Sequence, residues 1–321
     1  MTLRPKEKVR RPKRLRRVAV LPSLVTLLNA VCGFAAIHFT ARGMNEPERL
    51  WLEKPELTFF AAAAWMIFLA MICDGLDGFV ARMARSSSSF GGQLDSLADM
   101  VSFGVAPAFL MLRIIESYFK DGIGPVSPVF GSMPGKLLWL VAAMYICCTA
   151  LRLARFNVEH EVLDKEHLGF SGLPSPAAAG VVASLVLLYS DYLPDLKSDA
   201  QDVVPIISRI IIYLLPWITI GVALLMVSRV PYRHVINQYV RGRRSFGHMV
   251  WVVALVLFLF WKPQLTAAIV FVAFAATGAI RWVWLTHLKK HFVHTAEQKS
   301  STALLDQATE GGLMDSPNDS D

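Results

Sequence analysis

Four aspartates lie within 26 residues of one another: Asp74, Asp77, Asp95 and Asp99. The first two open the stretch "DGLDGFVAR" (74–82), which follows "FFAAAAWMIFLAMIC", 15 residues without a charge. Asp74 and Asp77 are three apart and Asp95 and Asp99 four apart, so on helices each pair shares a face. Between the pairs, residues 83–94 hold four serines and two glycines in "SSSSFGG", which suits a short turn between antiparallel helices. The two pairs can then meet across a helix–helix contact. Four carboxylates at one membrane-edge site repel each other unless divalent cations neutralise them, and oxygen-only ligands suit Mg²⁺ or Mn²⁺ rather than zinc.

Beside the acids stand groups suited to phosphate. Gly78 and Gly91 allow close approach of backbone or ligand, Arg82 can pair with a phosphate, and Ser86 to Ser89 offer hydroxyls. Two cations, an arginine and a glycine wall make a pyrophosphate site at headgroup depth. A single intramembrane aspartate often serves packing or proton relay. Four in two helical pairs, flanked by glycine and arginine, exceed what packing needs. A divalent-cation transporter is the rival reading from another class, but it has no need of glycine and arginine at fixed places.

The elements that must hold these acids are membrane helices. Of 321 residues 54% are hydrophobic and 18% charged, too little polar surface for a soluble globular protein of this size. Val18 to Ala41 carries no Asp, Glu, Lys or Arg over 24 residues, and Leu173–Ser190, Ile210–Ser228 and Pro263–Ile280 none over 18 or 19, lengths that match a bilayer core. Eight spans are predicted, near 18–41, 58–81, 93–116, 136–156, 174–193, 207–228, 248–262 and 264–286. The third is the least obvious because Asp95 and Asp99 interrupt its start; the seventh is short, and a turn at Lys262 and Pro263 joins it to the eighth.

Loop charge predicts the orientation. Residues 1–17 hold nine basic residues and one acid, and 229–248 five arginines and no acid. Residues 42–57 hold three basic residues against four acids, and 191–206 one lysine against four aspartates. With eight spans and both ends inside, the basic loops and the acidic constellation face the cytoplasm. Residues 1–17 form a cationic arm that either touches anionic headgroups or serves only as an orientation signal. Residues 291–321 form a polar, acidic tail that is expected to be disordered. No cleavable signal peptide is evident, so the first apolar run is expected to be retained. Cys32, Cys73, Cys147 and Cys148 sit in or beside apolar runs and are expected to be packing residues. No soluble domain, internal repeat or nucleic-acid partner is expected.

Asp74, Asp77, Gly78, Ala81, Arg82, Gly91, Asp95 and Asp99 reproduce D-x2-D-G-x2-A-R-x8-G-x3-D-x3-D without a gap. In this the chain resembles the CDP-alcohol phosphotransferases, which transfer a phosphoalcohol from a CDP-linked donor to an acceptor hydroxyl and release CMP. "LDSLADMVSFGVAPAFL" (94–110), "ALRLARFNV" (150–158), "GLPSPAAAG" (172–180), "TLLNAVCGFAAI" (26–37) and "LLMVSRVPY" (224–232) resemble the membrane-bound, bacterial-type phosphatidylserine synthases. Phosphatidylglycerophosphate synthases and cardiolipin-forming relatives typically carry "DPLADK" in place of "DSLADM", and inositol-phosphate-using relatives lack the "SFGVAPA" continuation. The likeness spans residues 18–232, an all-α membrane bundle with a six-helix core, followed by a two-helix extension at 233–290.

The resemblance implies CDP-diacylglycerol plus L-serine giving phosphatidylserine and CMP, in membrane lipid at the cytoplasmic face of a bacterial inner membrane, by a homodimer. It assigns Asp74, Asp77, Asp95 and Asp99 to a dinuclear Mg²⁺ or Mn²⁺ site, with Asp99 also the general base. It places CDP-diacylglycerol against Gly78, Ala81, Arg82 and Gly91, with Ser88, Ser23 and Thr26 nearby. Asn29, polar within an apolar helix, bonds either between helices or to the nucleotide. The carboxylate of serine needs a cation, and Arg152 and Arg155 are candidates; positive-inside anchoring is their alternative role. Ser102, on the face of Asp99, either touches the acceptor or satisfies a backbone carbonyl, and Ser175 is a further acceptor candidate. The remaining alternatives are the same chemistry with glycerol phosphate, inositol phosphate or choline, and a scaffold without catalysis, which the intact signature disfavours.

Overall fold

A computed structural model describes residues 20–45, 58–83, 89–119, 132–162, 172–192, 203–228 and 257–278, with single positions between and beyond these segments. The order is α1 (Val20–Asn45), α2 (Phe59–Met83), α3 (Ser89–Asp99), a π-helical turn (Met100–Val105), α4 (Ala106–Tyr118), α5 (Met133–Val162), α6 (Ser175–Tyr192) and α7 (Val203–Val227). A shorter apolar helix, α8 (Pro263–Gly278), follows. The described residues contain no strand. Five helices are long and apolar enough to cross a membrane: Pro22–Gly43, Phe59–Val80, Phe90–Tyr118, Met133–Val158 and Ser208–Val227. The chain is an all-α polytopic membrane protein. These five correspond to the first, second, third, fourth and sixth expected spans. The fifth and eighth are the shorter apolar helices Ser175–Ser190 and Pro263–Gly278. Most of the seventh lies outside the described residues, as do the basic arm and the acidic tail.

Packing follows the membrane pattern, with small and polar residues inside and large apolar ones outside. Thr26, Asn29, Cys32, Ala36 and Thr40 form a buried stripe along α1, while Leu24, Leu28, Val31 and Phe34 project outward. The close approach has a definite requirement at Gly33. A Cβ there would stand 2.7 Å from the Ser102 Cα, so only glycine lets α1 lie against the π-helical turn. The run Ala61–Ala64 gives α2 a buried surface of the same kind. The cysteines are free, with Cys32, Cys73 and Cys148 buried and Cys147 exposed.

The expected third span is the most enclosed of the five, and α3, the π-helical turn and α4 run through it without a break. It also begins earlier than predicted. Phe90, Gly91 and Gly92 are helical, so "FGG" belongs to α3 and not to the break between the acidic pairs. Glycine is a weaker helix breaker in membrane helices than in soluble ones, which explains the difference.

A cause for the π-helical turn is visible in "SFGVAPA". In an α-helix the Phe103 carbonyl would take the N–H of residue 107, but that residue is Pro107, which has none and whose ring would strike the carbonyl. The turn widens instead, with the Ala106 N–H bonded to the Val101 carbonyl. The fully buried Tyr145 hydroxyl of α5 donates to the Phe103 carbonyl at 3.1 Å, and Ser102 donates to the Asn29 carbonyl of α1 at 2.9 Å. Tyr145→Phe strands a buried carbonyl, so it should destabilise the fold by about 1–3 kcal/mol, seen as a lower unfolding midpoint in detergent.

Candidate functional site

Three of the four acids converge. Asp74, Asp95 and Asp99 each offer a carboxylate oxygen, and these oxygens lie within 4.8 Å of one another. Asp74 comes from α2 and the other two from α3, so the cluster exists only while the two helices stay in register. Asp77 is not one of this trio. It is buried on α2 beside the trio, while the Thr26 hydroxyl of α1 donates to the Pro22 carbonyl of its own helix at 3.0 Å.

Helix α1 reaches the acids through Asn29, whose amide donates from Nδ2 to Asp99 Oδ1 at 3.1 Å. Asn29 and Thr26, one turn before it, are both buried. A carboxylate only accepts, so the amide must turn its nitrogen to Asp99 and its oxygen away.

A second set of partners comes from α5. Arg152 is in electrostatic range of Asp99 and Asp74, and its guanidinium donates to the Ser175 hydroxyl at the start of α6. Ser175 is fully buried. Its position is fixed from α7: the Gly172 N–H bonds the Val230 carbonyl at 2.9 Å and the Leu173 N–H the Leu225 carbonyl at 3.0 Å. Gly172 has φ +96°, and a Cβ there would collide with the Met226 carbonyl, so the bend needs glycine.

Among the described residues at the cluster, three buried oxygens have no hydrogen-bond partner: Asp77 Oδ2, Asp95 Oδ1 and Asn29 Oδ1. Buried acceptors ordinarily find donors. Two carboxylate oxygens left so beside three clustered carboxylates fit a divalent cation, which asks for oxygen ligands and no protons. The residues present therefore suit Mg²⁺ or Mn²⁺.

The other expected site residues are distributed as follows. Ser23 lies half-buried on α1, Gly78 on α2, Gly91 on α3 and Arg155 on α5. Ala81 and Arg82 belong to α2, but their side chains lie outside the described residues, and Ser88 lies outside them altogether. Of the two roles open to Ser102, the structure has the backbone carbonyl; its hydroxyl is buried and given to α1. Asn29 bonds between helices. Ser96 and Asn157, not singled out in the sequence, hydrogen-bond each other at 2.9 Å between α3 and α5. Both sit inside stretches that carried the resemblance, and Ser96 is one of the two positions, with Met100, at which "DSLADM" departs from "DPLADK".

The family model for CDP-alcohol phosphatidyltransferase matches residues 19–225. The chain belongs to that family. It is similar to the CDP-diacylglycerol–serine O-phosphatidyltransferase of Helicobacter pylori strain J99, 30% identical over 226 residues, which is 70% of this chain and 81% of the relative. The enzyme of the same name from Methanocaldococcus jannaschii is 33% identical over 180 residues, 56% of this chain and 66% of that one. The one from Mycobacterium leprae is 30% identical over 238 residues, 73% and 63%.

Manganese binding by the purified protein, followed by electron paramagnetic resonance, should be weakened at least tenfold in Asp95→Asn. In Cys147→Ser, whose side chain is exposed on α5, it should be unchanged.

Proposed function

We propose that this family member transfers the phosphatidyl group of CDP-diacylglycerol to the hydroxyl of L-serine and releases CMP. The observation that carries the reading is that Arg152 lies within electrostatic range of Asp99 and Asp74. Asp99 can take a proton and Arg152 can hold an anion, and both face the same acidic cluster. Serine brings a hydroxyl that must lose a proton and a carboxylate that must be held. The names of the relatives support the same acceptor.

Asp99 acts as general base. The Asn29 amide occupies one of its oxygens, which leaves the other to take the serine proton. Arg152 receives the serine carboxylate while Ser175 steadies the guanidinium. Arg155, a turn further along α5, adds positive charge near the mouth. Asp74, Asp77, Asp95 and Asp99 would hold two divalent cations. Cations bound there supply Lewis-acid polarisation of the phosphate and neutralise the departing CMP. Gly78, Ala81, Arg82 and Gly91 are assigned to the donor's diphosphate and nucleoside, with Ser23, Thr26, Asn29 and Ser88 around them. Asn29 does this from behind, through Asp99.

The catalytic unit is residues 18–232, with 1–17 as a cytoplasmic basic arm, 233–290 as the extension and 291–321 as the tail. The site faces the cytoplasm of a bacterial inner membrane, the side on which basic loops collect and on which soluble serine meets a lipid donor. The working form is a homodimer.

Release of CMP from CDP-diacylglycerol should depend on serine and not on glycerol phosphate, inositol phosphate or choline; turnover with one of those and none with serine would overturn the acceptor. Asp99→Asn should lower kcat by about 10²–10⁴-fold while the protein remains extractable in folded form. Arg152→Gln should raise the KM for serine much more than that for the lipid.

A further inference from the structure

The described part of α5 runs antiparallel to α3 and α4, and polar side chains join them at three levels. At the deepest, Tyr145 donates to the Phe103 carbonyl at 3.1 Å. At the middle level Arg152 faces Asp99. At the outermost, Asn157 Nδ2 donates to Ser96 Oγ at 2.9 Å. The register is consistent: going out from Phe103 to Asp99 to Ser96 on one side matches Tyr145 to Arg152 to Asn157 on the other.

The outermost level is chemically complete. The Ser96 hydroxyl has one proton, with the Gly92 carbonyl at 3.0 Å and Asn157 Oδ1 at 3.1 Å as competing acceptors. Accepting from Asn157 and donating to Gly92 uses both functions of the hydroxyl and ties α5 to the backbone of α3. Ser96 is the residue after Asp95 and lies on the face of Asp99, three positions away. Asn157 lies five residues beyond Arg152, about 7.5 Å along the helix. Arg152 is thus suspended between two hydrogen-bonded levels. The Tyr145 bond lies two turns below the arginine, so the Ser96–Asn157 bond is the hydrogen-bonded level toward the outer end of α5.

We propose that Ser96 and Asn157 form a clasp that fixes the distance between Arg152 and Asp99, and so sets the enzyme's affinity for its acceptor. Neither touches the reacting atoms; they are positioning residues. The clasp rests on the acceptor reading given above, because its effect passes through the arginine that holds the acceptor carboxylate.

Steady-state kinetics of the full-length enzyme in mixed micelles test this, with serine and CDP-diacylglycerol varied separately. Ser96→Ala and Asn157→Ala should each raise the KM for serine 5- to 20-fold. The KM for CDP-diacylglycerol should move less than twofold, and kcat should fall less than the serine KM rises. The double variant should be no worse than the weaker single one, because both remove one bond, and Ser96→Thr, which keeps the hydroxyl, should stay near the parent. An unchanged serine KM, a loss confined to kcat, or effects that multiply in the double variant would overturn the clasp. Parent enzyme that ignores serine but uses another acceptor would overturn the acceptor reading instead, and the same split measured on that acceptor would still decide the clasp.

Discussion

Everything in this bundle answers to the repulsion among carboxylates brought together at the edge of a low-dielectric layer. Three carboxylate oxygens within 4.8 Å, and a fourth acid one turn away, would spread their helices apart if left alone. The fold contains them from two sides. Helix α1 supplies a neutral donor, the Asn29 amide, and α5 supplies the positive charge of Arg152. Cations would finish the neutralisation. Because α1 contributes an amide rather than charge, it lowers the cost of the cluster without competing with metal for the carboxylates.

The same need explains why so much of the packing uses small residues. A donor as short as asparagine reaches Asp99 only if α1 lies almost in contact with the span that carries it, and Gly33 against Ser102 in the π-helical turn provides that approach. The two serines near the acids then divide by depth. Ser102, fully buried, closes a backbone carbonyl, whereas Ser96, nearer the mouth, joins α3 to α5.

Much of this was legible in the sequence because it is written in local spacing. The aspartate pairs, the uncharged runs and Arg152 at the end of an apolar helix each declare themselves within a few residues. What was not legible depends on register between distant segments. Nothing near Ser96 points to Asn157, and nothing near Phe103 points to Tyr145, since these pairings are fixed by how α5 slides against α3 and α4. The π-helical turn is an intermediate case: Pro107 announces a disturbed helix, but only the partner hydroxyl shows how the freed carbonyl is satisfied. The "SSSSFGG" break was read too long because glycine was weighed as in water.

The attachment of residues 172 and 173 to α7 has a consequence for where the working unit ends. Their N–H groups close carbonyls of Leu225 and Val230, and the same bend presents Ser175 to Arg152. Helix α7 and the residues just past it therefore belong to the site as a keystone does to an arch, although none of the acids comes from them. The family match stops at residue 225, yet a bond on which the arginine's support depends is made at Val230. The hydrogen bonding behind the arginine therefore reaches past the end of recognisable likeness.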